Sequence, residues 1–296
     1  MLAAGWLYTA ALLASFTISM LASPAGVSGA VLLLPFQVTV LGTPSPAVTP
    51  TNLLYNVIAT PGAIYRYRRQ GQTGGALTGV LVLGTLPGVV AGSVIRVELL
   101  PGARPFELVI ALVMLPLGGS LLVRRYRSVA TAPENGSTSP ANRVHRATKL
   151  GGFRSLSVHG SAGESGPMRL SPALLVVMAA AVGCIGGIYG IGGGSILAPV
   201  LVRSGRPASE VAPATLTSTL VTSIAGVVTF LVLSVQHAGS VAPDWTIGFA
   251  LGAGGLAGGY VGARLQPRLP EVTIRRLLGL LVIAVGVRYA WLAGGG

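Results

Sequence analysis

Charge is what this 296-residue sequence has least of. Only 9% of its residues are Asp, Glu, Lys or Arg, against about 25% in an average soluble domain. With 20 basic and 7 acidic residues, a soluble protein of this length could not build a water-facing skin. Lipid must therefore solvate much of the surface. One cysteine, Cys184, excludes an internal disulfide and any cysteine-rich metal site. Three histidines and no ligand spacing argue against a metal centre. No Ser/His/Asp arrangement and no acid/base pair in a plausible cavity point to an enzyme. The absence of a G-x-y period excludes collagen.

What is abundant fits a polytopic, all-α membrane protein. Apolar residues make up 51% of the chain, and 43 Gly and 20 Pro stand beside 6% aromatics. Both Gly and Pro are commoner in membrane helices than in soluble ones. A net charge of +13 would suggest nucleic acid in a soluble chain. Here no basic helix or aromatic-basic interleaving accompanies the charge, which clusters between spans as cytoplasmic loops do. No nucleic-acid partner is expected.

Charge-free stretches delimit the spans. None of Asp, Glu, Lys or Arg occurs in Met1–Tyr65, Ser171–Val202, Val211–Pro243, Trp245–Ala263 or Leu277–Val287. Within and between these limits we expect hydrophobic segments at 3–22, 26–41, 47–65, 74–95 and 105–123, then at 171–188, 191–202, 211–235, 245–263 and 273–292, giving eight to ten hydrophobic helices. The first segment lacks a basic n-region and reads as a retained helix rather than a signal peptide. The organisation is thus a first transmembrane repeat at 1–123, a basic flexible cytoplasmic linker at 124–170 and a second transmembrane repeat at 171–296. The sequon Asn135-Gly136-Ser137 lies in that linker, where a cytoplasmic location argues against glycosylation.

The two halves share a repeat. Gly26 to Pro35 sits opposite Gly190 to Pro199, and Gly42-x-Pro44 with Val48-x-Pro50-x2-Leu53 sits opposite Gly205-x-Pro207 with Val211-x-Pro213-x2-Leu216. Weaker similarity joins Gly84–Gly92 to Leu251–Gly259. Arg66, Arg68 and Arg69, the linker, and Arg264, Arg268, Arg275 and Arg276 all reach the cytoplasm if the halves are inverted. Segments 26–41 and 47–65 either cross fully or form a re-entrant hairpin, and both choices keep this orientation.

Candidate chemistry falls where the repeats break regular helix. Gly187, Gly190, Gly192, Gly193 and Gly194 precede Ser195 and an apolar run. Such a run weakens helix and frees backbone N–H groups, which at a helix N-terminus favour an anion. The alternative is close helix packing. A dinucleotide-loop reading fails, since no strand precedes the run. The first copy contributes Gly29. After the prolines come Thr49, Thr51, Asn52 and Asn56 in one copy and Thr215, Thr217, Ser218 and Thr219 in the other. These are neutral donors suited to an oxyanion that must bind and leave. For the hydroxyls, bonding back to their own helix competes with that role, whereas the amide of Asn52 in lipid requires a partner. The candidate substrate-binding set is Gly29, Asn52, Asn56, Gly190, Gly192, Gly193, Gly194, Ser195, Thr215 and Ser218. Gly252, Gly254, Gly255, Gly258, Gly259 and Gly262 read instead as a packing stripe. The expected span cores carry no carboxylate, which argues against a proton relay or a hard-cation cage. His237, near a span end, reads as a loop residue and Cys184 as packing.

The duplicated Gly-rich-to-Pro segments, Gly190-Ile191-Gly192-Gly193-Gly194-Ser195 running to Pro199, the Gly205-x-Pro207 turn, Ala212-Pro213-Ala214-Thr215 and the span ending in Ala263-Arg264-Leu265 resemble the TauE/SafE sulfite exporter family. The first copy, Ser23-Pro24-Ala25-Gly26-Val27-Ser28-Gly29, departs from it with fewer glycines. The resemblance implies a multi-pass inner-membrane carrier for sulfite, a sulfonate or a related organic anion, with no cofactor and with the small anion and the bilayer as partners; a homo-oligomer is compatible with it. An anion channel or a non-transporting membrane-assembly protein is the other reading of the same residues.

Overall fold

A computed structural model of the chain describes residues 2–44, 46–100, 172–203, 206–237 and 241–266, with scattered positions in 102–119 and 279–291. Residues Met1–Arg124 and Met168–Gly296 gather into one compact unit, and the description concerns this unit. The linker expected at 124–170, with its sequon, lies outside the described residues. So do most positions of the segments expected at 105–123 and 273–292.

The described regular structure is helical. The helices are α1 (Leu2–Ala22), continued by a 3-10 turn at Ser23–Ala25, α2 (Ala30–Thr39), α3 (Val48–Arg69), α4 (Gly75–Glu98), α5 (Pro172–Tyr189), α6 (Gly194–Arg203), α7 (Ala208–Gln236) and α8 (Trp245–Leu265). Local chemistry sets several of their ends. Asp244 caps α8, its Oδ1 accepting from the Ile247 N–H at 2.9 Å. Arg66, Arg68 and Arg69 occupy the last turn of α3, where cations complement the helix dipole. Stretches from α1, α4 and α7 are long and apolar enough to cross a membrane. By contrast α2 and α6 have 10 residues each, about 15 Å of helix against a hydrocarbon core of about 30 Å. Neither helix by itself has the length to cross it.

Polarity runs from outside to inside in the order lipid demands. Leu83 and Val235 are 76% and 86% exposed, while Asn52, Asn56, Ser195, Thr215 and Ser218 are completely buried. Backbone and side-chain polar groups with no water available must find partners inside.

The packing partners exchange between the halves. Helix α1 lies on α8 and α5 on α4, α3 lies on α8 and α7 on α4, and α3 and α7 meet each other; α2 covers α3 as α6 covers α7. Small residues make the closest approaches. Gly254, Gly258 and Gly262 of α8 face the backbone of Leu12, Phe16 and Met20 in α1, and Gly84, Gly88 and Gly92 of α4 face Ala179, Ala180 and Cys184 in α5. Side chains larger than hydrogen would push these helix pairs apart, as expected of a packing stripe. The contacts also revise a register. Gly84, Gly88 and Gly92 play the part of Gly254, Gly258 and Gly262, three residues further along than the similarity to Leu251–Gly259 suggested. Glycine is so frequent in both helices that matching letters alone tolerates a shift of this size.

Candidate functional site

Two chain breaks define the interior. In the first half the chain leaves the 3-10 turn through Gly26, at φ +70°, and enters α2. In the second it leaves α5 through Gly190, at φ +75°, and enters α6. Left-handed backbone is the first reason for glycine at both positions. Lack of space is the second. A Cβ on Gly26 would lie 2.8 Å from the Cα of Ala212, and one on Gly190 would collide with the carbonyl oxygen of Thr49. Each break is thus pressed against the long helix of the opposite half, Gly26 on α7 and Gly190 on α3.

Hydrogen bonds knit the breaks to those helices. Asn56 donates from Nδ2 to the Gly190 carbonyl at 3.2 Å, and Thr215 donates from Oγ1 to the Gly26 carbonyl at 3.0 Å. The remaining oxygen of Asn56 accepts a short bond from the Ser28 hydroxyl. Between the breaks, the Ser28 N–H donates to Ser195 Oγ at 3.1 Å, and Ser195 Oγ lies 3.3 Å from Thr219 Oγ1. Asn52 is bonded through both atoms of its amide. Its Nδ2 donates to the Ala30 carbonyl at 3.0 Å and its Oδ1 accepts from Gln37 Nε2 at 2.9 Å. On the glycine run, the Gly193 N–H donates to Thr222 Oγ1 at 3.1 Å. A Cβ on Gly192 would meet Thr219 Cγ2 at 2.8 Å, one on Gly193 would meet Thr85 Cβ at 2.5 Å, and one on Gly194 would strike the Thr215 carbonyl. Ser218 Oγ is 3.0 Å from Thr85 Oγ1.

The sequence-derived candidates therefore fall in one buried polar region around the two breaks. Gly29 belongs to its first-half side, capping α2 and facing the Tyr55 hydroxyl. Close packing accounts for the glycines in this state, and bonding back to their own helices accounts for several hydroxyls: Thr51 to Ala47, Thr217 to Pro213 and Thr222 to Ser218, each at 2.7 Å. Thr49 is different, donating across helices to the Ile188 carbonyl at 3.1 Å.

Sequence reasoning missed Arg96. The charged side chain suggested a span ending at residue 95, but α4 runs through Glu98 and Arg96 is completely buried. Its Nε donates to Thr49 Oγ1 at 3.2 Å and its Nη1 makes a short bond to the Leu100 carbonyl. Through Thr49 the guanidinium is joined to the Ile188 carbonyl, two residues before Gly190. A buried ionisable group in a membrane helix marks a functional region by default. Gln37 was also missed, although it is the sole amide in its apolar segment; its Oε1 has no partner among the described residues, and neither has Ser223 Oγ. His237, read as a loop residue, closes α7 and pairs from Nε2 with Glu98 Oε1 at 3.2 Å.

Membrane-spanning helices, an apolar exterior and two glycine breaks meeting in a polar interior define a polytopic helical membrane protein with an internal polar site. The chain belongs to the sulfite exporter TauE/SafE family, whose sequence model matches residues 11–289. It is 31% identical over 112 residues to a probable membrane transporter protein of Xylella fastidiosa (strain 9a5c), a stretch that is 37% of this chain and 40% of that protein. It is 29% identical over 126 residues, 42% of this chain and 44% of the relative, to the probable membrane transporter protein YunE of Bacillus subtilis (strain 168). These matches span less than half the length of the relatives. No solved structure matches the chain.

Proposed function

We propose that this protein is a secondary transporter that moves a small anion, such as sulfite, a sulfonate or a related organic anion, across the inner membrane. In this reading the halves are inverted and rock about the two breaks to give alternating access. The observation that carries it is the meeting of Ser28 with Ser195, at 3.1 Å, where the two broken segments touch inside the helical unit. Irregular backbone at membrane depth is tolerated only where protein or a cavity surrounds it, and around this junction every candidate ligand is a neutral donor or a backbone amide. Neutral donors hold an anion reversibly. Arg96 supplies positive charge one bonded step away, through Thr49.

Uptake of labelled sulfite into proteoliposomes tests the reading, comparing wild type with Gly193→Leu and Asn52→Ala. Both variants are expected to lose uptake. Equal uptake in all three preparations would sink the site assignment, and conductance far above carrier turnover in planar bilayers would replace the carrier by a channel.

A further inference from the structure

We propose that the paired ends of α3 and α8 form a binding site for the headgroup of an anionic phospholipid, with an acyl chain lying on the apolar face below it.

The two helices run parallel and finish together. Leu54 meets Gly248, Ile58 meets Gly252 and Gly62 meets Leu256, so both chains advance in the same direction. Beyond them Gln70 Nε2 donates to the Ala263 carbonyl at 3.4 Å, which brings Arg264 level with the last turn of α3. That turn holds Arg66, Arg68 and Arg69. Parallel helices place the negative ends of both dipoles here, and the four arginines complement them. Neither helix contains an Asp or Glu, and the capping Asp244 stands at the far end of α8. Among the described residues none of the four arginines forms a salt bridge, and Arg66 Nε is covered without a hydrogen-bond partner. The charge gathered at this end is therefore not balanced from within the two helices.

What lies beneath the arginines points to a lipid instead of a free anion. Each helix carries the same pair four residues apart, Tyr65 with Arg69 and Tyr260 with Arg264, and this spacing puts both members on one face. The two tyrosines stack across the helices with centroids 6.5 Å apart. The Arg69 guanidinium sits over the Tyr65 ring, 5.6 Å from its centroid, and Tyr65 is 55% exposed. Tyrosine at a membrane surface stands at headgroup level, its ring among the chains and its hydroxyl toward water. Stacking holds the guanidinium at that depth, with its planar fork suited to phosphate oxygens. Further along α8, Leu256 and Phe249 continue the Tyr260 face as exposed apolar side chains. A free anion would need the arginines alone, whereas the aromatic step and the apolar face below it suit a chain. On the positive-inside rule this end lies in the cytoplasmic leaflet, where anionic lipid is found and basic sites between membrane helices take its headgroups.

The test follows the melting temperature of the full-length protein in detergent with added phosphatidylglycerol, phosphatidylcholine of the same chains, or inorganic phosphate. Phosphatidylglycerol is expected to give the largest rise, and inorganic phosphate, which has no chain, much less. Arg69→Gln should need about fivefold more phosphatidylglycerol for the same rise, the weight of one arginine at an anionic surface. Arg264→Gln carries the same expectation on the other helix and decides the matter should Arg69→Gln fail to fold. Arg206→Gln removes an exposed arginine before α7, outside this patch, and should respond as wild type. Equal rises with the two lipids would overturn the site, as would an equal rise with inorganic phosphate. Patch variants that respond at wild-type lipid concentrations would overturn it too, and so would an Arg206→Gln protein that loses as much as they do, since the effect would then be one of net charge.

Discussion

Asn56 Nδ2 and the carbonyl oxygen of Gly190 are hydrogen-bonded at 3.2 Å although 134 positions separate them in the chain. The bond ties the middle of α3 to the second-half break, and Thr215 returns the favour at Gly26. Asn56→Ala would leave the Gly190 carbonyl and the Ser28 hydroxyl without this partner. Each buried group left unpaired costs about 1–3 kcal/mol, so a clear fall in melting temperature is expected, with loss of uptake. An Asn56→Ala protein that melts with wild type would mean that the two breaks are held by packing alone.

Gly190→Ala and Gly42→Ala separate strain from crowding. Both positions have positive φ, +75° and +64°, which costs an L-residue about 1–2 kcal/mol. Gly42 has open space around it, whereas a Cβ on Gly190 meets the Thr49 backbone. Gly42→Ala should purify as a monodisperse protein with modest destabilisation. Gly190→Ala should give little folded protein by size-exclusion chromatography, and comparable yields would refute the close approach of the break to α3.

Gly29 and Tyr55 should be energetically coupled. Alanine at 29 places its methyl group 2.5 Å from the Tyr55 hydroxyl, and the next obstacles are Ser19 Oγ at 3.0 Å and Ile18 Cγ2 at 3.3 Å. Removing the phenolic oxygen relieves the tightest contact. In a double-mutant cycle of thermal denaturation, Gly29→Ala should be better tolerated on the Tyr55→Phe background, with a coupling of about 0.5–3 kcal/mol. Strict additivity would contradict this geometry.

Arg96→Lys keeps the charge and gives up the planar fork that reaches both Thr49 and Leu100. Hydrogen bonds from a charged donor are worth about 1.5–3 kcal/mol each. Arg96→Lys should therefore melt measurably below wild type. A lysine variant with wild-type stability would show that charge alone, and not the fork, is what the interior uses.

Glu98→Gln is the contrasting case. The Glu98 and His237 side chains are 48% and 32% exposed, and pairs of this kind contribute about 0–1 kcal/mol. Its melting temperature should stay close to that of wild type. A large drop would assign the contact between the ends of α4 and α7 a structural weight that its exposure does not suggest.

Local sequence was sufficient for everything that depends on the solvent and on backbone geometry. Scarcity of charge implied lipid, the apolar segments located α1 and α3–α8 to within a few residues, and the glycine runs before Pro35 and Pro199 marked the breaks, because these follow from transfer energies and φ/ψ limits within a short window. The candidate ligands were also legible as residue types, since an amide or a hydroxyl in an apolar span must find a partner somewhere. Tertiary structure alone decided which partner. That Gly190 rests on Thr49 while Gly26 rests on Ala212, that Ser28 meets Ser195, and that Arg96 bends inward instead of ending its helix depend on the opposite half closing over them. Thr85 crowds Gly193 at the second break and Tyr55 crowds Gly29 at the first, because the packing around a site is set by side chains from helices far away in sequence.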